Sequence, residues 1–239
     1  MIELTPRQIQ ILRAIIEEFI ETAQPVGSDT IDRKYNIGVS PATIRNEMVY
    51  LNKQDYLDKP HVSGGRIPTP KAFRLYINEL MREEELSVAD EVSAKEKIWE
   101  SRTQLNKLLK ESSHVLADRS NAIGIAMTDD QDIFHAGYSN LLDMPEFFDI
   151  QVMRRVLSII EQSRILEEIF SRSDSFDKIQ VVYGRELGEK NLEPVGLMFV
   201  SVNALGHHCR LGVIGSERFN YPYLIPMMKY FKSLIEQMV

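Results

Sequence analysis

Apolar residues recur along this chain every three to four positions in some stretches and run together or alternate in others. Ile9, Leu12, Ile16, Phe19 and Ile20 fall at helical spacing with Glu17, Glu18 and Glu21 on the other side, which predicts an amphipathic helix. Thr5-Pro6-Arg7-Gln8 marks its start: a threonine cap, proline at the first helical position and a glutamine that completes a capping box. Pro25 and Gly27 end it, and Ser28 is placed to cap a short second helix through Tyr35, with Ile31 and Tyr35 as its apolar pair. Asn36-Ile37-Gly38-Val39 is a turn, because Asn and Gly tolerate the left-handed backbone that a chain reversal needs. Ser40-Pro41 opens a third helix. Ile44, Met48 and Leu51 lie within about 60° of one another at ~100° per residue and form its buried stripe. Ala42, Asn46, Val49 and Tyr50 take the opposite face, flanked by Thr43 and Arg45. Tyr56-Leu57 and Ile67 bracket a hairpin whose tip runs from Pro60 to Arg66, and Thr69-Pro70 starts a fourth helix carrying Phe73, Tyr76, Ile77 and Leu80.

The pattern changes after residue 81. Residues 82–100 are acidic and poor in large apolar side chains until Ile98 and Trp99, and read as a linker into a helix bearing Leu105, Leu108, Leu109, Val115 and Leu116. Ala122 to Met127 and Ile133 to Gly137 are strand candidates around an Asp-rich turn; residues 150–170 read as one amphipathic helix. Ile179 to Tyr183 is a short β run, Val195 to Val202 and Cys209 to Ile214 pair across a turn at Ala204-Leu205-Gly206, and Tyr221 to Val239 closes as a helix despite Pro222 and Pro226. The expected class is α+β: a winged helix-turn-helix over 1–81, a linker and connecting helix over 82–119, and a domain with an antiparallel sheet over 120–239.

Composition sets bounds on this picture. Apolar content of 44% with 26% charged residues is that of a soluble globular chain. No apolar run approaches the ~18–20 residues that span a bilayer, and Met1 to Pro6 has neither part of a signal peptide, so the expected location is cytoplasmic, with no membrane partner. A single cysteine, Cys209, excludes a disulfide framework and a multi-cysteine zinc site. The net charge of −7 argues against nucleic-acid binding until it is divided: residues 1–80 carry ten basic and ten acidic residues, so residues 81–239 hold the whole excess. Within residues 25–74 the balance is eight basic to five acidic. A mildly basic head on an acidic body suits a protein with one end facing DNA.

The order helix, short helix, tight turn, capped helix, hairpin and return helix is that of a winged helix-turn-helix, whose third helix enters the major groove with its N-terminal residues at the base edges. That region offers Ser40, Thr43, Arg45 and Asn46. Asn pairs with adenine and Arg with guanine in bidentate fashion, so Arg45 and Asn46 are the candidates for direct readout; Tyr50 and Lys53 fall where backbone contacts are made. At the hairpin tip Ser63, Gly64, Gly65 and Arg66 join the candidate site, the glycines allowing close approach to a phosphate and the arginine supplying charge. The bland alternative is a small helical bundle with Arg45 in a surface ion pair with Glu47 or Asp55.

These residues also resemble a known family. Thr5-Pro6-Arg7-Gln8, Pro25-Val26-Gly27-Ser28, Gly38 through Met48, Pro60-His61, Gly65-Arg66-Ile67-Pro68-Thr69 and Phe73-Arg74-Leu75-Tyr76 are similar to the head of the HrcA-type heat-inducible transcription repressors. Gly137 to Leu142 with Pro145-Glu146-Phe147, then Gly212 to Gly215 with Arg218 and Tyr221, resemble its C-terminal segments. The resemblance implies a homodimer bound to an inverted-repeat operator upstream of chaperone genes, a GAF-like second domain, and regulation by the chaperonin. Two positions depart from the family pattern. Gly64 stands where its members usually have alanine, and the chain passes almost directly from the 122–127 strand to Ser139-Asn140-Leu141-Leu142, where typical members carry an inserted dimerisation segment.

Other signals are weaker. His207-His208-Cys209 places neighbours on opposite faces of a strand, so it is read as no metal site. Asp129-Asp130-Gln131-Asp132 lacks the glycine and bidentate glutamate of a calcium loop and reads as a solvated turn. Neither a nucleophile elbow, a phosphate-binding glycine loop nor a supported carboxylate pair occurs, so neither enzyme nor cofactor is expected. The rival regulatory reading is a winged-helix protein whose second domain senses a small ligand.

Overall fold

The computed structural model describes residues 4–60, 64–171 and 178–238, and the chain divides into two compact units, Met1–Arg82 and Glu83–Val239. In the first unit, helix α1 (Pro6–Thr22) opens on the expected box: the Gln8 amide donates to the Thr5 hydroxyl at 3.3 Å, and the Thr5 amide donates to Gln8 Oε1 at 2.9 Å. It stops where Ala23 turns left-handed at φ 58°. The buried stripe is wider than the periodicity suggests, because Ile11 and Ile15 are fully enclosed beside Leu12, Ile16 and Phe19. Glu18, expected on the polar side, lies at the edge of that stripe and is only 5% exposed. It is tolerated there because helix α2 (Ser28–Tyr35) brings Lys34 Nζ to 2.7 Å and the Tyr35 hydroxyl to 3.1 Å of its Oε2.

Ser28 is not the cap of α2. Gly27 holds the cap position without any side-chain bond, and Ser28 is the first helical residue, buried. Asn36 and Gly38 make the turn at positive φ. Helix α3 (Pro41–Lys53) is capped by Ser40, whose hydroxyl accepts from the Thr43 amide, and buries Ile44, Met48 and Leu51. Strands β1 (Leu57–Asp58) and β2 (Ile67–Pro68) form the wing ribbon. A backbone bridge between Val26 and Arg66, with N–H···O distances of 2.8 and 2.9 Å, adds the α1–α2 connection as a third strand. Helix α4 (Pro70–Leu75), capped by Thr69, continues as a π-helical turn over Tyr76–Leu80, which no pattern in the sequence announces.

The second unit is a five-stranded antiparallel sheet with helices on both faces. Its strands are β3 (Ile123–Met127), β4 (Ile133–Ala136), β5 (Gln180–Tyr183), β6 (Val195–Ala204) and β7 (His207–Ser216), ordered β4-β3-β7-β6-β5. Residues 88–99, expected as linker, form helix α5 (Val88–Trp99), capped by Ser87, and helix α6 follows over Leu105–Ser120. The sparse apolar positions Ala94 and Ile98 are enough because they are fully buried. The 150–170 segment is two helices, α7 (Ile150–Ile160) and α8 (Ser163–Phe170), broken at Gln162, whose backbone is extended. The apolar stripe runs on in phase across the break, so periodicity could not reveal it. Helix α9 (Tyr221–Met238) completes the unit with Pro226 inside it.

Alternation assigns the faces. Ile123, Ile125, Met127, Leu197, Phe199 and Ile214 share a core with Val156, Ile159, Leu166 and Phe170 from α7 and α8. On the other face α6 crosses β3 so closely that a Cβ on Gly124 would sit 2.0 Å from the Ser113 carbonyl oxygen. The β6–β7 hairpin turns through Leu205 and Gly206, both at positive φ as a two-residue turn of this hand requires. No helix among the described residues is long and apolar enough to cross a membrane.

Candidate nucleic-acid interface

Helix α3 exposes the face the sequence assigned to it. Ala42, Arg45, Asn46, Val49 and Tyr50 are exposed and Thr43 is half-buried. The Thr43 hydroxyl lies 3.0 Å from that of Ser40, which occupies part of its hydrogen-bonding capacity in the cap. Tyr50 and the exposed Lys53 lie one and two turns further along. Glu47 turns back to α1, where it receives Gln8 Nε2 at 3.0 Å and lies 3.6 Å from Arg7. Arg45 therefore does not pair with Glu47, and among the described residues it makes no ion pair. Its guanidinium instead turns toward α2, with Nη2 3.5 Å from the Ser28 hydroxyl, a contact at the outer limit of a hydrogen bond.

The structure brings Arg45, Gly64 and Arg66 together around one cleft of about 360 Å³ between α2, α3 and the wing. Lys59, Ser28 and Asp29 line it as well. Lys59 was missed by the sequence reading, since a lone lysine at a strand end carries no signal; its position on the cleft comes only from the path of the wing. Arg66 donates through Nη1 to the carbonyl oxygens of Gly64 and Gly65, at 3.3 and 3.2 Å, while its Nε is buried without a partner. Ser63 falls outside the described residues.

The two wing glycines differ. Gly64 is exposed with open space around it. Gly65 is buried, and a Cβ there would lie 2.7 to 2.9 Å from the carbonyl carbon, oxygen and Cβ of Pro25. Its lack of a side chain is needed for packing the wing against the α1–α2 connection, a requirement the sequence does not reveal, whereas Gly64 keeps the open space expected of a position that approaches a phosphate.

In the second unit the 129–132 turn and the β6–β7 hairpin meet. His207 Nδ1 lies 3.1 Å from Asp129 Oδ1, His208 contacts Asn203, and Cys209 is buried, its thiol pushed up to about 11 chiefly by burial. Asp129, Asp130 and His207 hold their ligand atoms within 4.8 Å of one another, a grouping that strand alternation did not anticipate; the two aspartates are exposed and His207 is half-buried. At the far end of the sheet Glu217 is 3% exposed, its Oε2 unpartnered, and burial pushes its carboxyl up to about 7. Burial acts the same way on nearby Glu146, but the Arg218 guanidinium it binds holds that carboxyl below its ordinary value.

A capped helix with an open polar face, flanked by a wing that returns cationic side chains to it, defines a protein of the winged helix-turn-helix class. Residues 3–82 match the family model for the winged helix-turn-helix transcription repressor, HrcA DNA-binding, and residues 68–225 match the HrcA protein C-terminal domain. The chain belongs to the HrcA family. It is 34% identical over 203 residues to the heat-inducible transcription repressor HrcA of Clostridium tetani, an alignment that takes in 84% of this chain and 58% of that protein. It is 25% identical to the HrcA of Pelotomaculum thermopropionicum over 338 positions, covering 99% of this chain and 97% of the relative. With 239 residues the chain is shorter than that relative, and the alignment spans segments it lacks. A crystal structure of a hypothetical protein at 2.2 Å resolution shares the fold, with a TM-score of 0.72 at 18% identity over 99% of this chain and 97% of the other.

Proposed function

We propose that this chain is a sequence-specific DNA-binding repressor of heat-shock (chaperone) genes that acts as a homodimer on an inverted-repeat operator. The observation that carries this reading is the juxtaposition of the exposed α3 face with the wing cations, Arg45 and Arg66 sharing one cleft with Lys59. The names of the relatives, heat-inducible transcription repressors, supply the class of gene. Thr43 and Asn46 face base edges in this reading, and Tyr50 and Lys53 lie along the phosphate backbone. A dimer follows because one recognition helix reads only a few base pairs and twofold symmetry doubles the contact. The second unit, whose antiparallel order is 2-1-5-4-3 when its strands are counted alone, supports the GAF-like assignment and takes the regulatory and dimerisation role, with the chaperonin as regulatory partner.

The ligand-sensing alternative is less well supported. Two clefts in the second unit have volumes of about 200 and 170 Å³, below the ~300–1,000 Å³ usual for small-molecule sites. The experiment is a genomic binding-site selection with the purified chain, followed by titration of the selected duplex at several salt concentrations. An inverted repeat bound with steep salt dependence is the expected result. Absence of binding at low salt overturns the reading.

A further inference from the structure

We propose that the cleft between α2, α3 and the wing is a phosphodiester subsite, where Arg45, Lys59 and Arg66 close on one backbone phosphate of the operator. Arg45 is then a positioning residue for the recognition helix and not a base reader. This inference rests on the DNA-binding reading above and assigns the part of the ligand that this cleft takes.

Three separate elements deliver the cations: Arg45 from α3, Lys59 from the end of β1 and Arg66 from the start of β2. None of the three forms an ion pair with a described residue, so their charge is available to a ligand. Arg66 is held in place by its own bonds to Gly64 and Gly65, yet its Nε is a buried donor without an acceptor. That donor is enclosed by protein, so an anion entering the cleft meets the charge of the guanidinium and its outer nitrogens and not this N–H. The Arg45 guanidinium reaches toward Ser28 of α2 and lines the cleft, while Ala42, Asn46 and Tyr50 are exposed on α3 beside it.

The α2 start adds a smaller contribution. Gly27 supplies no side-chain cap, and Gly27, Ser28 and Asp29 at the start of that eight-residue helix line the cleft. Asp29 also lines the cleft and opposes an anion, leaving three cations against one carboxylate. The arrangement exists before DNA arrives: the Val26–Arg66 bridge and the Gly65–Pro25 contact pin the wing to the α1–α2 connection. A preformed site binds without the cost of ordering its groups.

The test uses the full chain and the selected operator duplex, with affinities measured by fluorescence anisotropy from 50 to 300 mM salt. Arg45→Ala and Arg66→Ala are each expected to weaken every operator variant by the same factor and to lower the slope of log K against log salt by a fraction of 1, and the double variant to lower it by at most about 1. Asn46→Ala is expected to leave the slope and to change base preference. Operators carrying one neutral methylphosphonate at each backbone position in turn locate the contact: one position weakens the wild type several-fold and weakens Arg45→Ala and Arg66→Ala by a smaller factor. Arg45→Lys, which keeps the charge, retains the slope, and matched thermal melts establish that the variants are folded. Relaxed base preference at one operator position with an unchanged slope in Arg45→Ala overturns the proposal. So does protection of the wild type by inorganic phosphate at matched ionic strength with no methylphosphonate-sensitive position, which assigns the cleft to a free anion. A wild type that binds no duplex fails the DNA-binding reading itself, a result distinct from either.

Discussion

Replacing Gly65 by alanine is the sharpest test of how the wing is held. The added Cβ would meet the Pro25 carbonyl carbon at 2.7 Å, its oxygen at 2.8 Å and its Cβ at 2.9 Å, against ordinary carbon contacts near ~3.5–4.0 Å. Nothing on the Pro25 side can rotate away, because two of the three atoms are backbone. The strain is relieved only if the wing moves off by about 1 Å, the shortfall from normal contact. That displacement breaks the Val26–Arg66 pair, whose two bonds of 2.8 and 2.9 Å contribute ~0.5–1.5 kcal/mol each. If the wing stays, overpacking costs about 1–3 kcal/mol. Either route destabilises the first unit by roughly 1–3 kcal/mol. Gly64→Ala is the control: nothing lies within 4 Å of its Cβ and its φ is not positive, so the change stays within about 0.5 kcal/mol or stabilises slightly. Hydrogen exchange at the Val26 and Arg66 amides reads the wing directly, and urea unfolding followed by circular dichroism reads the unit. Equal stability and equal amide protection in the two variants would refute the packing role of Gly65. If both variants also lost operator affinity, the glycines would instead serve approach to phosphate.

Further expectations concern the interior of both units and the recognition face. Tyr35→Phe removes the 3.1 Å bond to Glu18 but leaves Lys34 in place; a loss of about 1–2 kcal/mol in thermal unfolding is expected, and none at all would mean Glu18 is held by Lys34 alone. Glu217, with its carboxyl raised to about 7 by burial, binds its proton more tightly folded than unfolded. Its contribution to stability is therefore present below the ordinary glutamate range near ~4.3 and is lost as pH rises through about 7. Glu217→Gln should gain relative to the wild type between pH 5 and pH 8, by at most about 3 kcal/mol, with guanidinium unfolding as the measure; a pH-independent difference contradicts it. Gly124→Ala sets a Cβ 2.0 Å from the Ser113 carbonyl oxygen and should cost about 3 kcal/mol or more by lifting α6 from the sheet, visible as reduced cooperativity of unfolding. Asn46→Ala should shift base preference by ~1–3 kcal/mol at one operator position, as read by selection from randomised half-sites.

What sequence alone determined is everything closed within a turn or two of chain. The caps at Thr5, Ser40 and Thr69 each satisfy an amide three residues on, so residue type and spacing announce them. The turn at Asn36 and Gly38 is equally local, and the Ile44, Met48 and Leu51 stripe depends only on helical pitch. The order of elements followed, and with it the class of protein and the exposed face of α3.

Only tertiary structure decided the rest. Glu18 became a buried residue because Lys34 and Tyr35, sixteen and seventeen positions away, came to meet it. Gly65 proved to be a packing residue because Pro25 lies against it, and Lys59 joined the cleft because the wing folds back toward α2. The α7–α8 break and the π turn at Tyr76–Leu80 leave the apolar phase intact or nearly so, and hydrophobic periodicity reports phase alone. Arg45 shows the division most clearly. Its place on α3 is set by helical pitch, but the groups it shares the cleft with, Ser28 and the wing, are put within reach by chain folding and not by sequence spacing.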